Sequence, residues 1–184
     1  GLWHTVVDPV PSLFTFRCSD RLLEGLAGVA AEAAIEIADR PRGRADLRQT
    51  GPVLVTHRGL SGPAVLRLSA WGARDSHDRN YRFDLTVDWL PGHTKEDLDV
   101  LVQDRTRTRG KQQISTDGPG QLPRRLRSAL VRRAAVDPDM RWADLGREAR
   151  RSLLESLKDT SLAVHGQDTF KEEFVTCGGV KREE

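Results

Sequence analysis

From Tyr81 to Trp89 apolar and polar side chains alternate without a break: Tyr81, Phe83, Leu85, Val87 and Trp89 fall on one side, Arg82, Asp84, Thr86 and Asp88 on the other. A period of two belongs to extended chain, so the segment predicts a half-buried antiparallel strand with Asp84 and Asp88 as a solvated pair on its outer face. Leu13 to Arg17 and Ala31 to Ala38 predict two more strands, the second with Ala33, Ile35 and Ile37 inward and Glu32 and Glu36 outward. Val53, Leu54 and Val55 form a continuous apolar run instead, as expected of a strand at 52–56 buried on both faces. The Arg-, Pro- and Gly-rich stretch 39–49 reads as an exposed hairpin loop or irregular connection.

The run at 52–56 leads into a different pattern. Gly59 and Gly62 bracket a turn where positive φ is expected, Ser61 is placed to cap a helix, and Pro63 falls in the first helical turn, where a missing N–H costs nothing. Ala64, Val65, Leu68 and Trp71 then recur at helical spacing and predict one buried stripe. A junction of this kind can offer backbone N–H groups and the positive end of a helix to an anion or an electron-rich atom. It can equally be a plain connection, with His57 a hydrogen-bonded structural residue.

Helical periodicity takes over after Pro91. Thr94 with Asp97 three residues on gives a capping-box start, followed by a stripe of Leu98, Leu101 and Val102. Leu122, Leu126, Ala129 and Leu130 line one face of 122–134, and Leu145, Ala149, Leu153, Leu154 and Leu157 line 144–158. Strand patterns return at Ser161 to Val164 and Glu172 to Thr176. Helices enclosed between strands predict an α+β fold: a flattened antiparallel β-barrel, or pseudobarrel, with a small helical subdomain inserted into it. The expected division is 1–90 with 159–180 for the barrel part and 91–158 for the helices.

At 184 residues, 38% hydrophobic and 30% charged, the chain is long enough for one good core or two small ones, and it holds no run of the roughly 18 apolar residues that a membrane-spanning helix needs. Cys18 and Cys177 stand 159 positions apart without a CxxC, which favours free thiols and a reducing, cytoplasmic setting. Organelle targeting is left open by a start at Gly1. The histidines His4, His57, His77, His93 and His165 are scattered singly, so no metal site is expected from spacing. Trp3, Trp71, Trp89 and Trp142 are expected mostly in the core.

Net charge is only +2, yet 105–133 carries Arg105, Arg107, Arg109, Lys111, Arg124, Arg125, Arg127, Arg132 and Arg133 against Asp117 alone. This supplies an alternative function, a basic surface that binds nucleic acid or another anionic partner. The lack of any aromatic residue in the stretch for base stacking, and the acidic Asp137, Asp139, Asp144 and Glu148 just beyond it, argue for a solvated face instead. Ser61 falls short of a nucleophile elbow because its second glycine follows immediately.

The run VLVTHRGLSGPAVLRLSAW at 53–71 resembles a signature of the BaiN-like, aminoacetone-oxidase-like FAD-dependent oxidoreductases, the YhiN family. HTVVDPVPSLFTF at 4–16, LPRRLRSALVRRA at 122–134 and SLLESLKDTSLAVHGQDTFKEEFVTCGGV at 152–180 follow in that family's order. The family's Gly-x-Gly-x-x-Gly turn and closing FAD-contacting segment are not in the sequence. The resemblance therefore implies an insert domain of a longer flavoenzyme, inactive alone, that caps the flavin and shapes a substrate pocket. It implies FAD in the parent protein, with NAD(P)H as a reductant, the FAD-binding domain of the same parent chain as partner, and small molecules such as amino ketones or enones as substrates. Thr56, His57, Gly59, Leu60, Ser61 and Gly62 are the implied residues nearest flavin or substrate, approaching with backbone N–H groups, and Thr176, Gly178 and Gly179 the implied crossing back into the FAD domain.

Overall fold

The computed structural model describes residues 4–38, 47–168 and 175–181. Six strands close into an antiparallel barrel. In chain order the strands are β1 (Val6–Ser12), β2 (Thr15–Cys18), β3 (Ala30–Ile37), β4 (Arg48–Thr56), β5 (Gly59–Ser61), β6 (Phe83–Asp88), β7 (Thr160–Asp168) and β8 (Val175–Val180). The barrel runs β2-β5-β4-β3-β6-β7 and back to β2, while β1 and β8 pair separately as a two-stranded ribbon. The alternation at 81–89 has its cause here: Phe83, Leu85 and Val87 are buried and Asp84 is exposed. Phe16 meets Phe83 edge-on at 5.3 Å across the interior.

Several expectations need correction. Val53 and Val55 are buried, but Leu54 between them is 36% exposed, because β4 is a barrel strand with one face outward and not a strand covered on both sides. Residues 59–61 form a strand in place of a turn: β4 and β5 make a hairpin through His57 and Arg58, with Leu54 opposite Ser61 and Val55 opposite Leu60. Ser61 therefore ends a strand. The cap position of the following helix, α1 (Pro63–Trp71), is Gly62 at φ 101°, with no side-chain cap. Ala64, Val65 and Leu68 pack α1 inward as the spacing predicts, whereas Trp71 at its last turn is 74% exposed. Asp88 is 9% exposed, not solvated; its outer face of the barrel is covered by a later helix.

Leu13 lies outside a strand, at φ 54° between β1 and β2. Strand β1 carries Pro9 and Pro11, which disguise it in sequence and which a ribbon edge tolerates. A short helix, α2 (Ala73–Asp78), follows α1, and Arg74 on it donates to the carbonyls of Asp8 (2.8 Å) and Cys177 (3.4 Å), tying the ribbon down. The expected loop at 39–49 lies outside the described residues up to 46; Leu47 is buried and Arg48 opens β4. Of the strand expected at 172–176, only Val175 and Thr176 are described, at the start of β8.

Three helices stand between β6 and β7: α3 (Lys95–Thr108), α4 (Arg124–Arg133) and α5 (Arg147–Lys158). The capping box forms as read, Thr94 Oγ1 accepting from Asp97 N–H at 3.1 Å and Asp97 Oδ2 from Thr94 N–H at 2.9 Å. Helix α5 packs between the other two; Ser156 Oγ donates to Leu130 O of α4 (2.8 Å), and Arg150 pairs with Asp99 of α3 (3.0 Å). Leu98 and Val102 are buried, whereas Leu101 is 36% exposed. Barrel and helices share one continuous apolar core that includes Trp89 and Trp142. Among the described residues no helix is long and apolar enough to cross a membrane.

Candidate functional site

A cleft of about 560 Å³ opens beside the tip of the β4–β5 hairpin. One wall is the hairpin, with Thr56, His57 and Gly59; the other is the segment after β2, with Asp20, Arg21 and Glu24, closed at one side by Arg125 of α4. The local sequence explains both walls. At the tip, Thr56 Oγ1 donates to Gly59 O (3.2 Å) and accepts from Arg58 N–H (3.3 Å), which locks the two-residue connection. Arg58 clamps the hairpin to the end of β7 through both carboxylate oxygens of Asp168, at 3.1 and 2.9 Å. Opposite, Asp20 Oδ1 accepts from Leu22 N–H at 2.8 Å and starts a single 3-10 turn, Arg21–Leu23, whose leucines are buried.

The residues implied as ligand-proximal divide into two sets. Thr56 and His57 face the cleft, and His57 is exposed without a hydrogen bond or ion pair among the described residues. Leu60 is fully buried in the core, and Gly59 and Leu60 are flanked on both sides, by β2 and by β4, so their backbone groups belong to the sheet. The glycines are required by the barrel's own closeness: a Cβ on Gly59 would lie 2.2 Å from Phe16 O, and one on Gly62 would lie 2.8 Å from Pro52 O. The backbone of Gly59 and Leu60 is thus taken up by the sheet on both sides. Thr176, Gly178 and Gly179 lie in β8, away from the cleft lining; Gly178 faces the irregularity of β1, where a Cβ would meet Asp8 O at 2.8 Å.

Cys18 lines the floor of the cleft. Burial, and then the charge of Asp20, push its thiol up to about 12, so it stays protonated and unreactive. Both cysteines are free.

The basic stretch at 105–133 does not act as one surface. Asp117 takes Arg105 (2.5 Å) and Arg109 (2.9 Å), Asp104 takes Arg107 (3.0 Å), and Asp20 takes Arg133 (2.8 Å). Arg127 donates to the carbonyls of Ser115, Thr116 and Leu122 at 3.3, 3.2 and 2.9 Å. Burial and the neighbouring Arg105 hold its pKa below the usual guanidinium value. Arg124 and Arg132 are exposed with no partner among the described residues, and Arg125 donates only to Gly25 O. Sequence reading missed the 19–25 wall, although Asp20 before an apolar pair and Gly25 after it is a cap-and-stop signal for a short helical turn.

A closed antiparallel barrel holding a helical insertion between two of its strands defines the class. A family model described as HI0933-like protein barrel and H2TH domain matches residues 10–175, and the chain belongs to that family. It is 27% identical over 178 residues to a ribosomal RNA dihydrouridine synthase of Haemophilus influenzae, covering 95% of this chain and 40% of that protein. It is 28% identical over 162 residues to the ribosomal RNA dihydrouridine synthase of Escherichia coli, covering 88% of this chain and 36% of that protein. The chain thus spans about two fifths of the length of these relatives.

Proposed function

We propose that this chain is the barrel-and-helix part of a flavin-dependent enzyme that reduces a uridine in ribosomal RNA to dihydrouridine. The observation that carries the reading is the cleft at the hairpin tip, which sets the exposed imidazole of His57 opposite Arg21 and Arg125. It combines a group able to donate to a base carbonyl with cations that suit a phosphate. Similarity along 88–95% of the chain to two relatives of that name supports an RNA base as the substrate, in place of the free small molecule implied by resemblance.

In this reading reduced FAD, replenished by NAD(P)H, supplies the electrons, and the FAD-binding domain belongs to the parent chain beyond these residues. The chain's own part is to wall the substrate cleft and orient the base. Thr56 fixes the hairpin, His57 hydrogen-bonds the base, and buried Cys18 takes no part in proton transfer. The β1–β8 ribbon, with Thr176, Gly178 and Gly179, joins barrel to FAD domain, and the exposed Val6, Val180 and Trp71 contribute to the contact face.

The test is a chimera. In Escherichia coli lacking its own relative, this chain replaces the matching segment of that relative, and dihydrouridine in ribosomal RNA is measured by mass spectrometry. Restored dihydrouridine supports the reading. A chimera that is made, binds flavin and leaves ribosomal RNA unmodified contradicts it.

A further inference from the structure

The cleft at the hairpin does not end at Arg125. A second cleft, of about 360 Å³, adjoins it through the shared residues Glu24, Gly25 and Arg125 and continues along α4 past Arg124, Ser128 and Arg132. Residues 124, 128 and 132 are spaced four apart on one helix face, so the stripe extends roughly 12 Å. The charges along the path are Arg21, Arg124, Arg125 and Arg132 against Asp20 and Glu24, and Asp20 is already engaged by Arg133.

Helix α4 also begins against local electrostatic preference. Arg124 and Arg125 occupy its first turn, where the helix's positive end repels them, and the turn has neither an acidic residue nor a side-chain cap. An anion lying along the groove relieves that repulsion. Arg105, Arg107, Arg109, Arg127 and Arg133 are engaged by carboxylates and carbonyls of the fold, whereas Arg124 and Arg132 have no partner among the described residues and Arg125 has only the Gly25 carbonyl. No Phe, Tyr or Trp lines either cleft, and the His57 imidazole sits at the hairpin end, so the α4 part of the groove has no stacking platform for bases.

We infer that the groove from the His57 hairpin tip over Gly25 to the Arg124–Arg132 face of α4 is a track for an RNA phosphate backbone, positioning a substrate strand without reading its sequence. The inference rests on the reading that the substrate is RNA. It assigns base placement to the hairpin cleft and strand placement to α4.

The test uses the full 184-residue chain and a fluorescein-labelled single-stranded oligoribonucleotide of mixed sequence, with binding followed by anisotropy across about 50 to 200 mM salt. The expected result is salt-sensitive binding that R124Q/R132Q weakens about tenfold at low salt, with the salt slope reduced by about 1.4, near 0.7 per cation removed. R107Q/R151Q removes the same charge from exposed sites outside the groove and is expected to leave affinity within about twofold. Absence of binding, wild-type binding by R124Q/R132Q, or equal loss in R107Q/R151Q overturns the track. Placing R124Q/R132Q in the chimera separates the two readings. Dihydrouridine formed equally well with and without the substitutions overturns the track and keeps the function. Groove-dependent RNA binding by a chain whose wild-type chimera makes no dihydrouridine keeps the track and overturns the function.

Discussion

Lys158 Nζ lies 2.7 Å from Asp88 Oδ2, joining the last turn of α5 to the end of β6 in a seam where both side chains are about nine-tenths buried. The ammonium also donates to Leu90 O at 3.0 Å and to His93 O, while Asp88 Oδ1 accepts from Leu90 N–H at 3.0 Å. One buried pair therefore fixes where the helical insertion leaves the barrel and where it returns.

Removing one partner strands the other. Lys158→Met is expected to destabilise the chain by about 3 kcal/mol, because Asp88 is left buried with only the longer ion pair to Arg48 at 3.8 Å. Urea unfolding is the measurement. Asp88→Asn combined with Lys158→Met is expected to recover part of the loss; an additive loss would show that the two residues act separately.

The glycines of the hairpin are structural by geometry, and substitutions grade them. Gly59→Ala places a Cβ against Phe16 O at a φ of +146°, and a loss of about 3 kcal/mol or more is expected. Gly25→Ala meets nothing within 4 Å and bears only its φ of +69°, with a cost of about 1 kcal/mol. Equal costs in thermal unfolding would contradict this account of Gly59.

Much of the barrel was legible in sequence because its strands bury one face: Phe83, Leu85 and Val87, and likewise Ala33, Ile35 and Ile37, are buried as their alternation predicts. The helices were legible from their stripes and from the Thr94 and Asp97 box. What sequence hid depends on neighbours distant along the chain. Gly59 and Gly62 look like turn glycines, but the need for them comes from β2 and from Pro52 pressing on the same backbone. Asp88 looks solvated until α5 returns Lys158 to it. The basic stretch looks uniform until Asp117, Asp104 and Asp20 claim half of it, and the cleft itself joins segments separated by roughly a hundred residues, which no local pattern encodes.

Trp71 tests the corrected helix stripe. Exposed at the end of α1, it is expected to tolerate Trp71→Ser within about 0.5 kcal/mol in this chain. Trp142→Ala, at a fully buried site, is expected to cost about 3 to 5 kcal/mol. Acrylamide should quench the Trp71 share of the fluorescence ahead of the Trp89 and Trp142 shares.

Cys18 carries a pH dependence of definite sign. Its thiol ionises near 9 when unfolded and is pushed up to about 12 in the fold, so the unfolded chain loses its proton first as pH rises. The stabilisation is complete below pH 9 and is lost progressively as pH climbs toward about 12. Cys18→Ala is expected to flatten that part of the stability profile. An unchanged slope between pH 9 and 11 would contradict the assignment.

The most direct measurement is photo-crosslinking of the full chain to ribosomal RNA containing 4-thiouridine, with crosslinked peptides identified by mass spectrometry. Crosslinks concentrated at 19–25, at the Thr56 to Arg58 hairpin tip and along 124–132 are the expected result. Crosslinks confined to α3, or to the Trp71 and β1–β8 side, would contradict the placement of RNA in this groove.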